Sequence, residues 1–232
     1  MKREEKARTI RGEMALFFLK ILLISTKMWY TNAMSKQTPS NRPQQAYVLR
    51  VSIKETKPPI WRKVSVPADY TLGDLHRMLQ IAFGWDDSHM HSFTINLVEY
   101  GMTGMDFDYG DDMADEDSVC LYDLDLQPDQ KFSYLYDFGD SWEHEIRVSK
   151  IISAGDEKWD LTLPRCLGGK RAGPLEDSGG VWGYESMLEI LRDPARPEYK
   201  DFHEWAGDFD PEYVGIEEIN ASLEEAVKPR PS

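Results

Sequence analysis

Tyr47, Leu49, Val51 and Ile53 recur at every second position, the spacing of a strand with one buried face. Pro58 and Pro59 then break the chain, and Trp61 to Val66 sets Val64 and Val66 on one face of a second short strand. Two such strands with a proline-stiffened connection predict an antiparallel hairpin. The hairpin commits the chain to a sheet and requires something apolar to cover it. The next segment supplies the cover. Thr71 is an N-cap, Leu72, Leu75, Leu79, Ala82 and Phe83 fall on one helical stripe with Met78 beside it, and Gly84 is placed to end the helix.

Further strands are predicted at His89–Leu97, Lys131–Phe138 and Trp142–Ile152. In the last of these Trp142, His144, Ile146 and Val148 share a face. The third strand leaves its phase open between Met90 with its i+2 neighbours and Phe93, Ile95 and Leu97. Pro164–Gly183 holds six glycines and two prolines and reads as a long ordered loop, the kind that often carries function. Helices follow at Tyr184–Leu191, around Phe202–Ala206 and at Gly215–Glu225. Hairpin, helix, then more strands predict an α+β fold: a β-grasp-like mixed sheet packed against helices.

Of the 232 residues 41% are hydrophobic and 12% aromatic, enough to build a core over residues 46–225 as a single domain. Residues 226–232 read as a disordered tail. The net charge of −14 is unevenly spread, because residues 1–45 carry nine Lys/Arg against three Glu, +6, which leaves −20 for the rest. A body so negative repels phosphate backbones and favours a basic protein partner or a bound cation. Binding of nucleic acid would fall to the basic amino terminus. Within that segment the apolar run Met14–Ile24 is interrupted by Lys20 and is shorter than the ~20 residues a membrane span needs. The polar lead after Met34 makes that residue an alternative start, with residues 1–45 a basic, disordered extension. Cys120 and Cys166 stand in no CxxC pair, as expected of thiols in a cytoplasmic protein. Cys166 lies beside Arg165, which would lower its pKa.

The chemistry-bearing residues gather in three stretches. His89 and His91 are two apart and, on one strand, would project from one face where two imidazoles can share an ion. The segment DFGDSWEH brings Asp137, Asp140, Trp142 and His144, and the glycine-rich stretch brings Glu176 and Asp177. Nitrogen and carboxylate ligands of this kind suit zinc, manganese or iron, with His89, His144 and Asp140 as the core ligands of a divalent metal. The alternative is structural: histidines hydrogen-bonded beside Trp85 and Trp142, with Asp137 and Asp140 capping the turn at Gly139. The DFG triplet is no kinase motif, since neither a Gly-rich loop nor an HRD segment accompanies it. The ten acids and absent bases of Asp106–Asp129 read as solvated loop with a short element around Val119–Leu121, and glycine and acid stand at the wrong places for a calcium loop.

Taken in order, GW…HMHSF, YDFGDSWEH and GGKRAGPLEDSGGVWGY resemble the plasmid pRiA4b ORF-3-like family, relatives of which are also labelled transposon-passenger TnpR proteins. The resemblance implies a compact α+β domain in bacterial or archaeal cytoplasm and an association with mobile elements. It implies no reaction. Three readings follow: a non-catalytic binding or accessory protein, a metal-dependent hydrolase, and a transposition accessory binding nucleic acid through its basic amino terminus.

Overall fold

The computed structural model describes residues 44–103, 113–156 and 164–226. The apolar run, Met34, part of the acidic run and the tail lie outside the described residues. The strands are β1 (Gln45–Ile53), β2 (Trp61–Pro67), β3 (His91–Ile95), β4 (Val98–Gly101), β5 (Ala114–Asp115), β6 (Lys131–Tyr136), β7 (Trp142–Ser153) and β8 (Arg165–Lys170). The helices are α1 (Leu72–Phe83), α2 (Gly180–Leu191), α3 (Tyr199–Ala206) and α4 (Ile216–Ala226). Among the described residues the strands form one sheet in the order β5-β4-β3-β6-β7-β1-β2-β8, antiparallel except between β4 and β5. The fold is α+β, opening with the expected hairpin and helix, and its sheet is wider than the sequence pattern implied.

Residues directly opposite one another in antiparallel strands share a face, so the register shows what lies under α1. Phe93 faces Tyr134, Tyr134 faces His144, and His144 faces Ile53. The next row runs Phe132, Ile146, Val51, Arg62. Leu49, Val51, Val64, Phe93, Tyr134, Ile146 and Val148 are all fully buried. Each such aliphatic or aromatic side chain contributes roughly 1.5–3 kcal/mol from removal of apolar area from water. The opposite face is charged, with Lys54–Glu143, Lys131–Glu145 and Arg147–Asp129 pairs between 2.6 and 2.9 Å. These pairs are exposed, so each is worth little.

Helix α1 begins and ends where its sequence directs. The Thr71 hydroxyl accepts from the Asp74 N–H at 3.0 Å while the Asp74 carboxylate accepts from the Thr71 N–H at 3.1 Å, a reciprocal capping box. Gly84 closes the helix at φ 80°, a left-handed conformation that costs other residues energy. The buried Arg62 then secures the end of α1. Its Nε donates to the Ala82 carbonyl at 2.8 Å and its guanidinium to the Arg171 carbonyl at 2.7 Å. The carbonyls of a last helical turn lack intrahelical partners, so they suit a buried cation. Burial lowers the Arg62 pKa to about 10.

Two expectations are corrected. Pro164–Gly183 is not all loop: Arg165–Lys170 forms edge strand β8 against β2, and α2 starts at Gly180 instead of Tyr184. The glycines permit close approach, since a Cβ on Gly169 would sit 2.9 Å from the Arg62 side chain and 3.0 Å from the Trp61 carbonyl. The acidic run is not simply solvated either. Its described part holds β5 and two short 3-10 turns, with Val119, Leu121, Leu124 and Leu126 buried, and it carries Glu116 inward to 4% exposure. As for the phase of β3, Phe93 and Ile95 face the core while Leu97 sits in the β3–β4 turn, exposed at φ 67°.

Thr71→Ala removes one half of the capping box. Urea unfolding should show a loss of about 1 kcal/mol with an unchanged denaturant slope.

Candidate functional site

The turn between β6 and β7 is held by its own carboxylates. Asp137, at φ 56°, accepts at Oδ1 from the N–H groups of Gly139 (2.9 Å) and Asp140 (3.2 Å). Its own N–H donates to the Met90 carbonyl at 2.9 Å, tying the turn to the start of β3. Asp140 reaches the other way and accepts at Oδ2 from the Gly179 N–H at 2.8 Å. Gly180 follows at φ 67° with its α-carbon so close to the Asp140 carbonyl that a Cβ would come within 2.4 Å. The Pro174 carbonyl accepts from the Trp85 indole N–H at 2.9 Å, so the PLEDSGG segment is held at both ends.

His89 stands where these pieces meet. Its Nδ1 is 3.7 Å from Asp137 Oδ2, and its Nε2 is 3.8 Å from Glu176 Oε2 and 3.2 Å from Asp177 Oδ1. Both His89 Nε2 and Glu176 Oε2 are shielded from solvent and have no hydrogen-bond partner. The other Glu176 oxygen accepts from the Tyr136 hydroxyl at 2.9 Å and from the Asp86 N–H at 3.1 Å. Burial raises the Glu176 pKa above its ordinary value, partly offset by these donors. Ligands bonded to one zinc-sized ion at about 2.1 Å stand roughly 3–3.5 Å from one another. The spacings around Nε2 are near that value. Asp137 on the Nδ1 side is placed to orient the ring, as carboxylates do for metal-bound imidazoles. Asp177 is exposed, so the fourth side of the group is open to water.

His91 is not with His89. Strand β3 begins only at His91, so the two rings lack the common strand face expected of them, and His91 turns to a second, interior group. Its ring stacks on that of His76 from α1, with centroids 3.4 Å apart and planes within 3°. His91 Nε2 donates to Glu116 at 2.7 Å, and His76 Nε2 donates to Asp87 at 2.7 Å. The Tyr134 hydroxyl accepts from the Gln80 amide at 3.0 Å and donates to His76 Nδ1 at 2.8 Å. That assigns His76 a neutral tautomer, in keeping with a pKa lowered to about 4 by burial and by His91.

His144 belongs to neither group. It is fully buried among Phe83, Trp85 and Tyr134, and its Nδ1–H donates to the Trp142 carbonyl at 2.8 Å. Asp140 spends its carboxylate on the Gly179 N–H, and Trp142 is buried against Tyr184. Of the candidate residues the structure thus brings ligand atoms of His89, Asp137 and Asp177 within 4.8 Å of one another, with Glu176 3.8 Å from His89. Cys166 corrects another expectation: burial raises its pKa, and the charge nearby is Arg62, not Arg165.

Residues 45–218 match the family model for plasmid pRiA4b ORF-3-like proteins. The chain belongs to this family. It is 35% identical over 181 residues to the uncharacterized protein y4hQ of Sinorhizobium fredii, covering 76% of this chain and 90% of the relative. The fold is similar to the crystal structure of MM3350, a protein of unknown function from Methanosarcina mazei Go1. That similarity has a TM-score of 0.68 and 39% identity, over 76% of this chain and 98% of the other. Each relative covers about three quarters of the chain, and the His89 and His76–His91 groups lie inside the family segment, residues 45–218. Among the described residues no helix is long and apolar enough to cross a membrane.

Sequence reasoning passed over His76, Asp87 and Glu116. A usable signal existed for His76, which lies four residues after Leu72 and three before Leu79 on the apolar stripe of α1. A histidine there must be buried and therefore partnered. Asp87 and Glu116 carried no such signal, because each stands among other acids.

The buried histidines set a pH dependence. His144 is pushed down to about 4 by burial, below its unfolded value of 6.5, so the unfolded chain takes up a proton the folded chain refuses. Its stabilisation is complete above pH ~6.5 and is lost as pH falls toward ~4, on the order of 3 kcal/mol in all. His76 acts in the same direction. Urea unfolding at pH 7 and pH 4.5 should show this loss, and His144→Gln should reduce it relative to wild type.

Proposed function

We propose that this chain is a binding protein accessory to plasmids or transposable elements, acting in the cytoplasm with a divalent cation at His89, Glu176 and Asp177. One observation carries the cation: His89 Nε2 and Glu176 Oε2 stand 3.8 Å apart, shielded from water and with no hydrogen-bond partner, and Asp177 Oδ1 is 3.2 Å from the same nitrogen. Buried polar atoms are rarely left unpaired, and two lone-pair donors this close are well explained by a cation between them. The mixed nitrogen and oxygen donors favour zinc, manganese or iron. The partner that suits a body of charge −20 is a basic protein; phosphate backbones are repelled.

A second reading, a metal-dependent hydrolase, is favoured by the exposure of Asp177, which leaves one side of the ion free for water. A zinc ion there would lower the pKa of that water toward ~7. Asp137 would hold the His89 ring in place in either case.

Elemental analysis of untagged protein tests the cation. His89→Ala and Glu176→Gln should each lower bound zinc or manganese by one equivalent per chain and abolish the associated rise in melting temperature. Equal metal content in wild type and both variants sinks the proposal. Metal-dependent cleavage of p-nitrophenyl phosphate esters by wild type, absent in His89→Ala, would favour the hydrolase. Salt-sensitive recovery of a basic protein without such cleavage would favour the binding role.

A further inference from the structure

The His76–His91 group is separate from the His89 centre in every side chain, and its geometry asks for an occupant of its own. His91 is 2% exposed and its Nδ1 has no hydrogen-bond partner. On its other side Nε2–H donates to Glu116 at 2.7 Å. An imidazole held by a carboxylate through one nitrogen, with the other nitrogen buried and unpaired, is arranged as metal-ligating histidines are. One nitrogen each from His76 and His91 and one Asp87 oxygen lie within 4.8 Å of one another.

The charges lead the same way. His76 is neutral by its hydrogen bonds, as the Tyr134 hydroxyl proton occupies its Nδ1. Glu116 is 4% exposed, and the ion pair it makes is with His91; that of Asp87 is with His76. Among the described residues neither carboxylate pairs with lysine or arginine. Two carboxylates thus face the two imidazoles, one of them from the interior, an acidic setting that suits a bound cation.

We propose that His76, Asp87 and His91 hold a second divalent cation in the interior, with Glu116 orienting His91 from its far side. The ion would bond His91 through Nδ1 and His76 through Nε2. The proton now on His76 Nε2 would leave and Nδ1 would take one up, so the ring stays neutral in its other tautomer and donates from Nδ1 to the Tyr134 oxygen. Two parallel ring planes 3.4 Å apart cannot both contain one ion, so the stacked rings must tilt apart as it enters. Two imidazoles and a carboxylate suit zinc, and cadmium serves as its spectroscopic substitute. Tyr136 adjoins both groups, its ring 6.4 Å from that of His76 and 5.9 Å from that of His89, so filling one centre is expected to register in the other.

The test uses full-length, untagged protein, stripped with chelator and titrated with zinc under native mass spectrometry. Wild type should reach two ions per chain. His76→Gln and His91→Gln should each retain only the ion that His89→Ala removes, and His89→Ala should retain only the other. If folded His76→Gln and His91→Gln proteins bind as many ions as wild type, the proposal is overturned, whatever becomes of the His89 centre. Should both variants fail to fold, wild type and His89→Ala decide it by cadmium-113 NMR. A resonance that survives in His89→Ala, together with shifted His76 and His91 side-chain nitrogens, supports the interior site. Unmoved His76 and His91 nitrogens remove it.

Discussion

The DFGD turn between β6 and β7 is the contact on which the candidate site depends. A turn with Asp137 and Ser141 both at positive φ is strained and persists only if its polar groups are well satisfied. Asp137 satisfies it from within, through the Gly139 and Asp140 N–H groups, and Asp140 does so from without, through Gly179. These few bonds set Tyr136 opposite Trp142, aim the free Asp137 oxygen at His89, and dock the segment that carries Glu176 and Asp177. The same Asp137 backbone bonds Met90, so the turn also fixes where β3 begins. That starting point is what sends His89 and His91 to different places.

The second constraint is the polar seam beneath α1. A helix that covers a sheet normally presents apolar side chains, yet α1 brings His76 and Gln80 against Tyr134, and β7 brings His144 to the same face. Each buried polar group costs stability unless it is hydrogen-bonded. The seam is mostly satisfied by chains such as Gln80 to Tyr134 to His76 to Asp87, which also assign protons to particular nitrogens. Unpaired buried atoms remain at His89, His91 and Glu176 in the two groups of ligands, and also at His144, Trp142 and Tyr184 outside them.

Several elements were legible in the residues themselves. The hairpin, α1 with its caps, and the inward face of β7 follow from period and capping chemistry, which act over a few neighbouring residues. Strand β8 was not legible. Its glycines read as loop, and only the passage of β2 and Arg62 beside them gives a glycine-rich strand its use. Glu116 was hidden for the same reason: within a run of acids nothing local distinguishes the one that a 3-10 turn carries inward to a histidine on another strand.

The sequence alone therefore determined the period of its strands, the ends of its first helix, its acidic charge and the family to which it belongs. Those properties are local or additive. Tertiary structure decided which of five histidines meet which acids, because side chains tens of residues apart become neighbours only through strand order and register. A single-residue difference in where β3 begins would be enough to move His91 away from His76 and onto the opposite face of the sheet.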